Sequence, residues 1–107
     1  MLLLLDESVP RRLRLELPDH EVRTVQQQGW SAFENGELLT RAESSGFQGF
    51  ITADQNLQYQ QNLKGRKIRI VVVAAYSNSI EVLVPLMPQV LRALTEMGEG
   101  ELRVVSG

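Results

Sequence analysis

The stretch Lys67–Ala75, KIRIVVVAA, sets the strongest limit on what this chain can fold into. Ile68, Ile70, Val71, Val72 and Val73 make a near-continuous β-branched run, without the polar alternation of a half-exposed strand. A strand that is apolar on both sides must be covered on both. That places it inside a parallel sheet with helices on each face. Leu2–Leu5 and Phe47–Ala53 have the same character, and they close on Asp6 and Asp54.

The segments between these runs read as helices and turns. Ser8 is placed to cap a helix with Pro10 in its first turn, an inner face of Val9, Leu13 and Leu17, and Pro18 as its end. HEVRTV alternates as a second strand. QQQGWSAFENG is a connection with a helical turn around the glutamines. Ser31 and Glu34 match a capping box for a helix with Leu38, Leu39 and Ala42 inside and Gly46 as its stop. NLQYQQNLKG is a short helical or irregular piece ending at Gly65. Asn78 and Glu81 open an apolar segment reaching Met97, which Pro85 and Pro88 must kink or break. ELRVVS is a last strand.

Strands alternating with helices predict one α/β domain over residues 1–107, three layers deep, with a central, mostly parallel sheet of about five strands. Every strand's carboxyl end then lies on one edge, where such sheets bind ligands. Asp6 and Asp54 both fall on that edge.

Composition excludes several classes of function. The chain has 107 residues, 43% hydrophobic and 22% charged, and no cysteine, so thiol nucleophiles and zinc–thiolate sites are out. LLLL has no basic lead and stops at Asp6, and no run approaches the ~20 apolar residues of a membrane span. A soluble, cytoplasmic protein is expected. The net charge is −2, so the whole chain is no general polyanion binder. Two basic clusters stand out, Arg11, Arg12 and Arg14, then Lys64, Arg66, Lys67 and Arg69. They are either solvated faces or a confined grip on a phosphate backbone.

No GxGxxG or Walker sequence is present. Ser8, Ser31 and Ser77 lack the His and Asp pattern of a serine hydrolase. His20 has no second histidine with which to share a metal and reads as a turn residue. Trp30 and Phe33 read as packing anchors. Tyr59 with Gln58, Gln60 and Gln61 fits a substrate groove or a polar surface helix.

An aspartate after a strand can cap the next helix, and Asp6 and Asp54 both precede helical segments. Two carboxylates on one edge can also hold a hard cation, which Mg²⁺ typically binds with waters and phosphate oxygens. Glu7, Glu34 and Glu37 are nearby acidic candidates, and Glu34 and Glu37, three apart, share a helix face.

Taken in order, LLLLDESVPRRL, HEVRTV, NGELLTRAE, FITADQNL and VVVAAYSN resemble the compact PIN-like domains of a domain-of-unknown-function family. These are predicted nucleases of bacterial toxin–antitoxin systems. The resemblance runs from Met1 to about Met97. It implies a PIN-like α/β/α fold and Mg²⁺- or Mn²⁺-dependent phosphodiester cleavage, most often of RNA. Carried onto this chain, the metal and catalytic set is Asp6, Glu37 and Asp54, supported by Glu7, Asn35 and Asn56. Arg11, Arg12, Lys64 and Arg66 would contact the RNA backbone. Asn35 and Asn56 stand where PIN relatives often carry acid, and an amide brings no charge to an ion.

That departure motivates a second reading, a catalytically inactive PIN-like module that binds RNA or a protein. Leu83, Leu86, Met87, Val90, Leu91 and Leu94 are more apolar positions than one helix face needs, and they could serve a homodimer or a small antitoxin protein. A receiver-like phosphoacceptor fits least. It needs a lysine at a late strand's end, where this chain has Ala74-Ala75-Tyr76.

Overall fold

Each short apolar run becomes a strand of a single sheet. The computed structural model describes residues 1–60 and 63–107, without the side chains of Gln58 and Gln60. The strands are β1 (Leu2–Leu5), β2 (Glu21–Thr24), β3 (Gly49–Thr52), β4 (Arg69–Ala74) and β5 (Leu102–Ser106). Their order is β2-β1-β3-β4-β5, and all neighbours are parallel. The sheet is therefore parallel throughout, in the second common doubly wound order.

Strand pleating divides the core into two layers. Leu3, Leu5, Ile51, Val71 and Val73 face one side, against α4 (Ile80–Leu83), α5 (Met87–Glu96) and a 3-10 segment, Arg11–Glu16. Leu4, Phe50, Ile70 and Val72 face the other side, against α1 (Val25–Gln28), α2 (Asn35–Ser44) and α3 (Leu57–Gln60). The three-layer architecture follows. Each buried Leu or Ile contributes about 1.5–3 kcal/mol relative to exposure, so the β-branched runs dominate the apolar driving force. At Gly49 any larger residue would meet Leu3, because an added Cβ falls 2.6 Å from Leu3 Cδ2. This strand needs glycine for close packing, not for a turn.

The helices depart from expectation at their starts. Pro10, not Ser8, precedes the first one, which is 3-10 over Arg11–Glu16, although Val9, Leu13 and Leu17 are buried as its spacing requires. Ser8 is occupied elsewhere, at the sheet edge. Thr24 and Gln27 form the capping box of α1. The box expected at Ser31 and Glu34 does not form, and α2 starts at Asn35 with no side-chain cap from Glu34. Residues 30–33 instead make a turn, with Phe33 N–H on Trp30 O, and Trp30 packs edge-on against Phe47 at 5.8 Å. Packing of the aromatic ring outweighs a cap.

Asn78 likewise does not cap. Ser79 precedes α4, without a side-chain cap. The break at Pro85 and Pro88 is present, as a 3-10 turn over Val84–Leu86 before α5. Leu83, Leu86, Met87, Val90 and Leu94 are all buried in the chain's own core, and Leu91 is partly buried. The apolar surplus of this segment is thus used within the molecule. Among the described residues, no helix is long and apolar enough to cross a membrane.

Candidate functional site

Parallel strands bring every carboxyl end to one edge, and the strand order reverses between β1 and β3. From β1 the chain moves outward to β2 on one side, and later returns to β3 on the other. The crevice at such a reversal is where open α/β sheets bind ligands. Asp6 leaves β1 at this point, its N–H continuing the ladder to Ile51 O at 2.9 Å. Asp54 leaves β3 two residues beyond Thr52.

The buried Thr52 hydroxyl links the two aspartates, and the half-buried Ser8 hydroxyl braces Asp6 beside it. Asp6 Oδ2 accepts from Ser8 Oγ at 2.7 Å and from Thr52 Oγ1 at 2.7 Å. Thr52 Oγ1 also accepts the Asp54 N–H at 3.0 Å, and Ser8 Oγ accepts the Ala53 N–H at 2.9 Å. Thr52 is 1% exposed, so its hydroxyl needs these partners. Asp54 is held in turn. Its Oδ1 accepts the Asn56 N–H at 3.0 Å, a local Asx turn, and its Oδ2 takes a long contact of 3.4 Å from Asn35 Nδ2.

The two sequence readings of these aspartates thus resolve unevenly. Asp6 bonds to hydroxyls, whereas Asp54 accepts the Asn56 N–H in a turn directly ahead of α3. Thr52→Val is expected to cost about 1–3 kcal/mol, because it removes a donor to Asp6 and strands the Asp54 N–H. Urea denaturation checks this, with Thr52→Ser recovering most of the loss.

The remaining sequence candidates are placed as follows. Glu7 and Asn56 are exposed beside the rim. Glu37 does not join the two aspartates: its Oε1 pairs with Arg41 of its own helix at 3.3 Å, with both side chains about half exposed. Among the described residues, no three His, Cys, Asp or Glu side chains converge to hold a metal ion. Asn35 reaches Asp54, but as an uncharged amide. Gln61 lies outside the described residues, as do the side chains of Gln58 and Gln60; Tyr59 is 82% exposed. His20 precedes β2, at the opposite edge. Burial, and then the Met1 amine 3.0 Å from Nδ1, lower its pKa.

The basic residues divide between the two edges. Arg11, Arg12 and Arg14 line an open groove of about 450 Å³ with Thr24, Gln26 and Gln27. Thr24 is the register partner of Leu5, so this groove borders the rim that carries Asp6. Sequence spacing alone does not mark Gln26 and Gln27 as neighbours of the Arg11, Arg12 and Arg14 cluster; the side-by-side pairing of β1 and β2 is what brings them in.

Arg66 is engaged within the fold. Its guanidinium binds Glu43 at 2.8 Å, Thr40 Oγ1 at 3.0 Å and Gly36 O at 3.1 Å, which pins the segment before β4 onto α2. Arg66 and Glu43 are only 18% and 21% exposed, so this cation is a structural tie. Lys64 is exposed in the same connection. Lys67 and Arg69 line a cavity with Gly46 and Gln48, residues just ahead of β3, and so lie at the edge opposite the aspartates.

Urea denaturation separates the two groups. Arg66→Met is expected to lower stability by about 1–3 kcal/mol, whereas Arg11→Met, Arg12→Met and Arg14→Met, at exposed positions, should each stay within about 0.5 kcal/mol.

Chemically, Asp6 and Asp54 offer a hard oxygen donor set suited to Mg²⁺, which takes one or two carboxylates and completes its shell with water and phosphate. No family model matches the chain, and no match is found among curated proteins or solved structures.

Proposed function

We propose that this protein is a PIN-like, Mg²⁺- or Mn²⁺-dependent ribonuclease, the toxin component of a cytoplasmic toxin–antitoxin pair, with a small antitoxin protein as partner. One observation carries the reading. Two aspartates from strands far apart in sequence leave neighbouring strands at the strand-order reversal, where the Thr52 hydroxyl bonds both the Asp6 carboxylate and the Asp54 backbone N–H. A groove with three arginines borders them.

Asp6 and Asp54 would hold the ion, which when bound supplies charge neutralisation at the phosphate and activation of water. The chain's own residues do the positioning. Ser8 and Thr52 hold one oxygen of Asp6, which fixes the carboxylate plane. The Asn56 N–H fixes Asp54. Arg11, Arg12 and Arg14 hold backbone phosphates without reading sequence. Purified protein should cleave single-stranded RNA with Mn²⁺ or Mg²⁺ and not in EDTA. No cleavage together with no Mn²⁺ binding at millimolar concentration would remove the enzyme reading.

A specific observation also favours the second reading, an inactive PIN-like module. Asn35 approaches Asp54 with an amide, and Glu37 is paired with Arg41. On that reading the same groove binds RNA, or the surface binds a protein, without cleavage. RNA binding in EDTA with no turnover under any divalent cation is its signature.

A further inference from the structure

Beyond β4 the same edge carries a feature that phosphodiester cleavage leaves unused. Tyr76 is 93% exposed. With Glu81, Val82, Pro85 and Leu86 it lines a mainly apolar cavity of about 270 Å³. Among the described residues lining it, Glu81 is the one charged side chain, an exposed carboxylate at the cavity mouth with no hydrogen-bond or ion-pair partner among them. Register pairs Thr52 with Val72, so Asp54 and Tyr76 leave adjacent strands at the same rim. Strand spacing puts those strands about 4.8 Å apart.

We propose that this cavity is a nucleobase subsite selecting guanine, and that it sets the cleavage preference of the ribonuclease proposed above, on which it rests. An exposed tyrosine face stacks an unpaired base. The cavity lies below the ~300–1,000 Å³ of drug-sized sites, the scale of a single heterocycle. A carboxylate accepts hydrogen bonds only, so it favours a base edge that presents adjacent N–H donors. Guanine offers N1–H and N2–H₂ side by side, which matches both carboxylate oxygens, whereas uracil sets carbonyl oxygens beside its one donor. The arginine groove borders β2 and this cavity lies beyond β4, so phosphates and base would be held on opposite sides of Asp6 and Asp54.

Fluorescence anisotropy in EDTA tests the subsite apart from catalysis, using labelled heptamers UUUGUUU, UUUAUUU, UUUCUUU and UUUUUUU. The guanine heptamer should bind about tenfold tighter than all-uridine. Tyr76→Ala should weaken it about tenfold, and Glu81→Gln should erase the preference, bringing the four heptamers to equal affinity. Equal binding of the four heptamers overturns the proposal, as does a preference that survives both substitutions. Uniform cleavage of a mixed RNA would overturn the subsite and leave the nuclease standing. No binding of any heptamer at millimolar protein would sink both. A dimer in sedimentation that Tyr76→Ala dissociates would assign the cavity to self-association instead.

Discussion

Asp6→Asn and Asp54→Asn should each lower cation-dependent RNA cleavage by at least ~100-fold while the protein stays folded. Asparagine keeps the shape of aspartate and an oxygen able to accept from Ser8 and Thr52, or from the Asn56 N–H, so the rim hydrogen bonds persist. What is lost is one negative charge of the two that would hold the ion. Altering the outer partners of metal ligands already costs 10–100-fold, so loss of a ligand charge should exceed that. The readouts are the initial cleavage rate at fixed Mn²⁺ and Mn²⁺ affinity by calorimetry. Affinity and rate should fall together, with unfolding free energies from urea titration within about 1 kcal/mol of the parent. Cleavage that survives either substitution would place the chemistry elsewhere.

Glu37→Gln gives the contrast. Its carboxylate is engaged by Arg41 across one helical turn, an exposed pair worth about 0.3–0.5 kcal/mol. The expected rate change is below about tenfold. A loss as large as that of Asp6→Asn would mean that Glu37 abandons Arg41 and swings to the rim when substrate binds.

What is legible in the sequence is whatever depends on local period. Ile70–Val73 and Leu2–Leu5 are strands because consecutive apolar residues can be buried only between two helical layers. The alternation of elements then forces all carboxyl ends to one edge. Contacts closed by the fold are not legible in this way. Thr52 bonds Asp6 across 46 positions and Ser8 lies 3.2 Å from Thr52 across 44, so no spacing rule finds them. A weaker signal exists, since a lone hydroxyl inside the buried run FIT must find a partner. Arg11 and Arg66 look alike in a string of letters. The difference is that Glu43, 23 residues away, is folded against Arg66. The Glu37–Arg41 pair is different again, because its i, i+4 spacing on a helix announces it locally and competes with any role for Glu37 at the rim.

The largest expected loss of stability is Phe50→Ala, at about 3–5 kcal/mol. Phe50 is fully buried and sits on β3, the middle strand, in the layer with Leu39, Ala42, Leu57 and Ile70. Removing its ring forfeits the transfer energy of the largest fully buried side chain and leaves a cavity. The surrounding Leu and Ile side chains project from elements anchored on other strands and helices, so they can close it only in part. Small domains have about 5–15 kcal/mol in total, so the variant should keep only a fraction of its stability. Urea titration should show a lower midpoint with an unchanged slope. Tyr76→Ala, at a fully solvated ring, should stay within about 0.5 kcal/mol. The site should suffer as well. Thr52 is two residues along the same strand, and a loosened β3 lets its hydroxyl drift from Asp6, so cleavage measured well below the unfolding midpoint should fall even though no rim residue has changed.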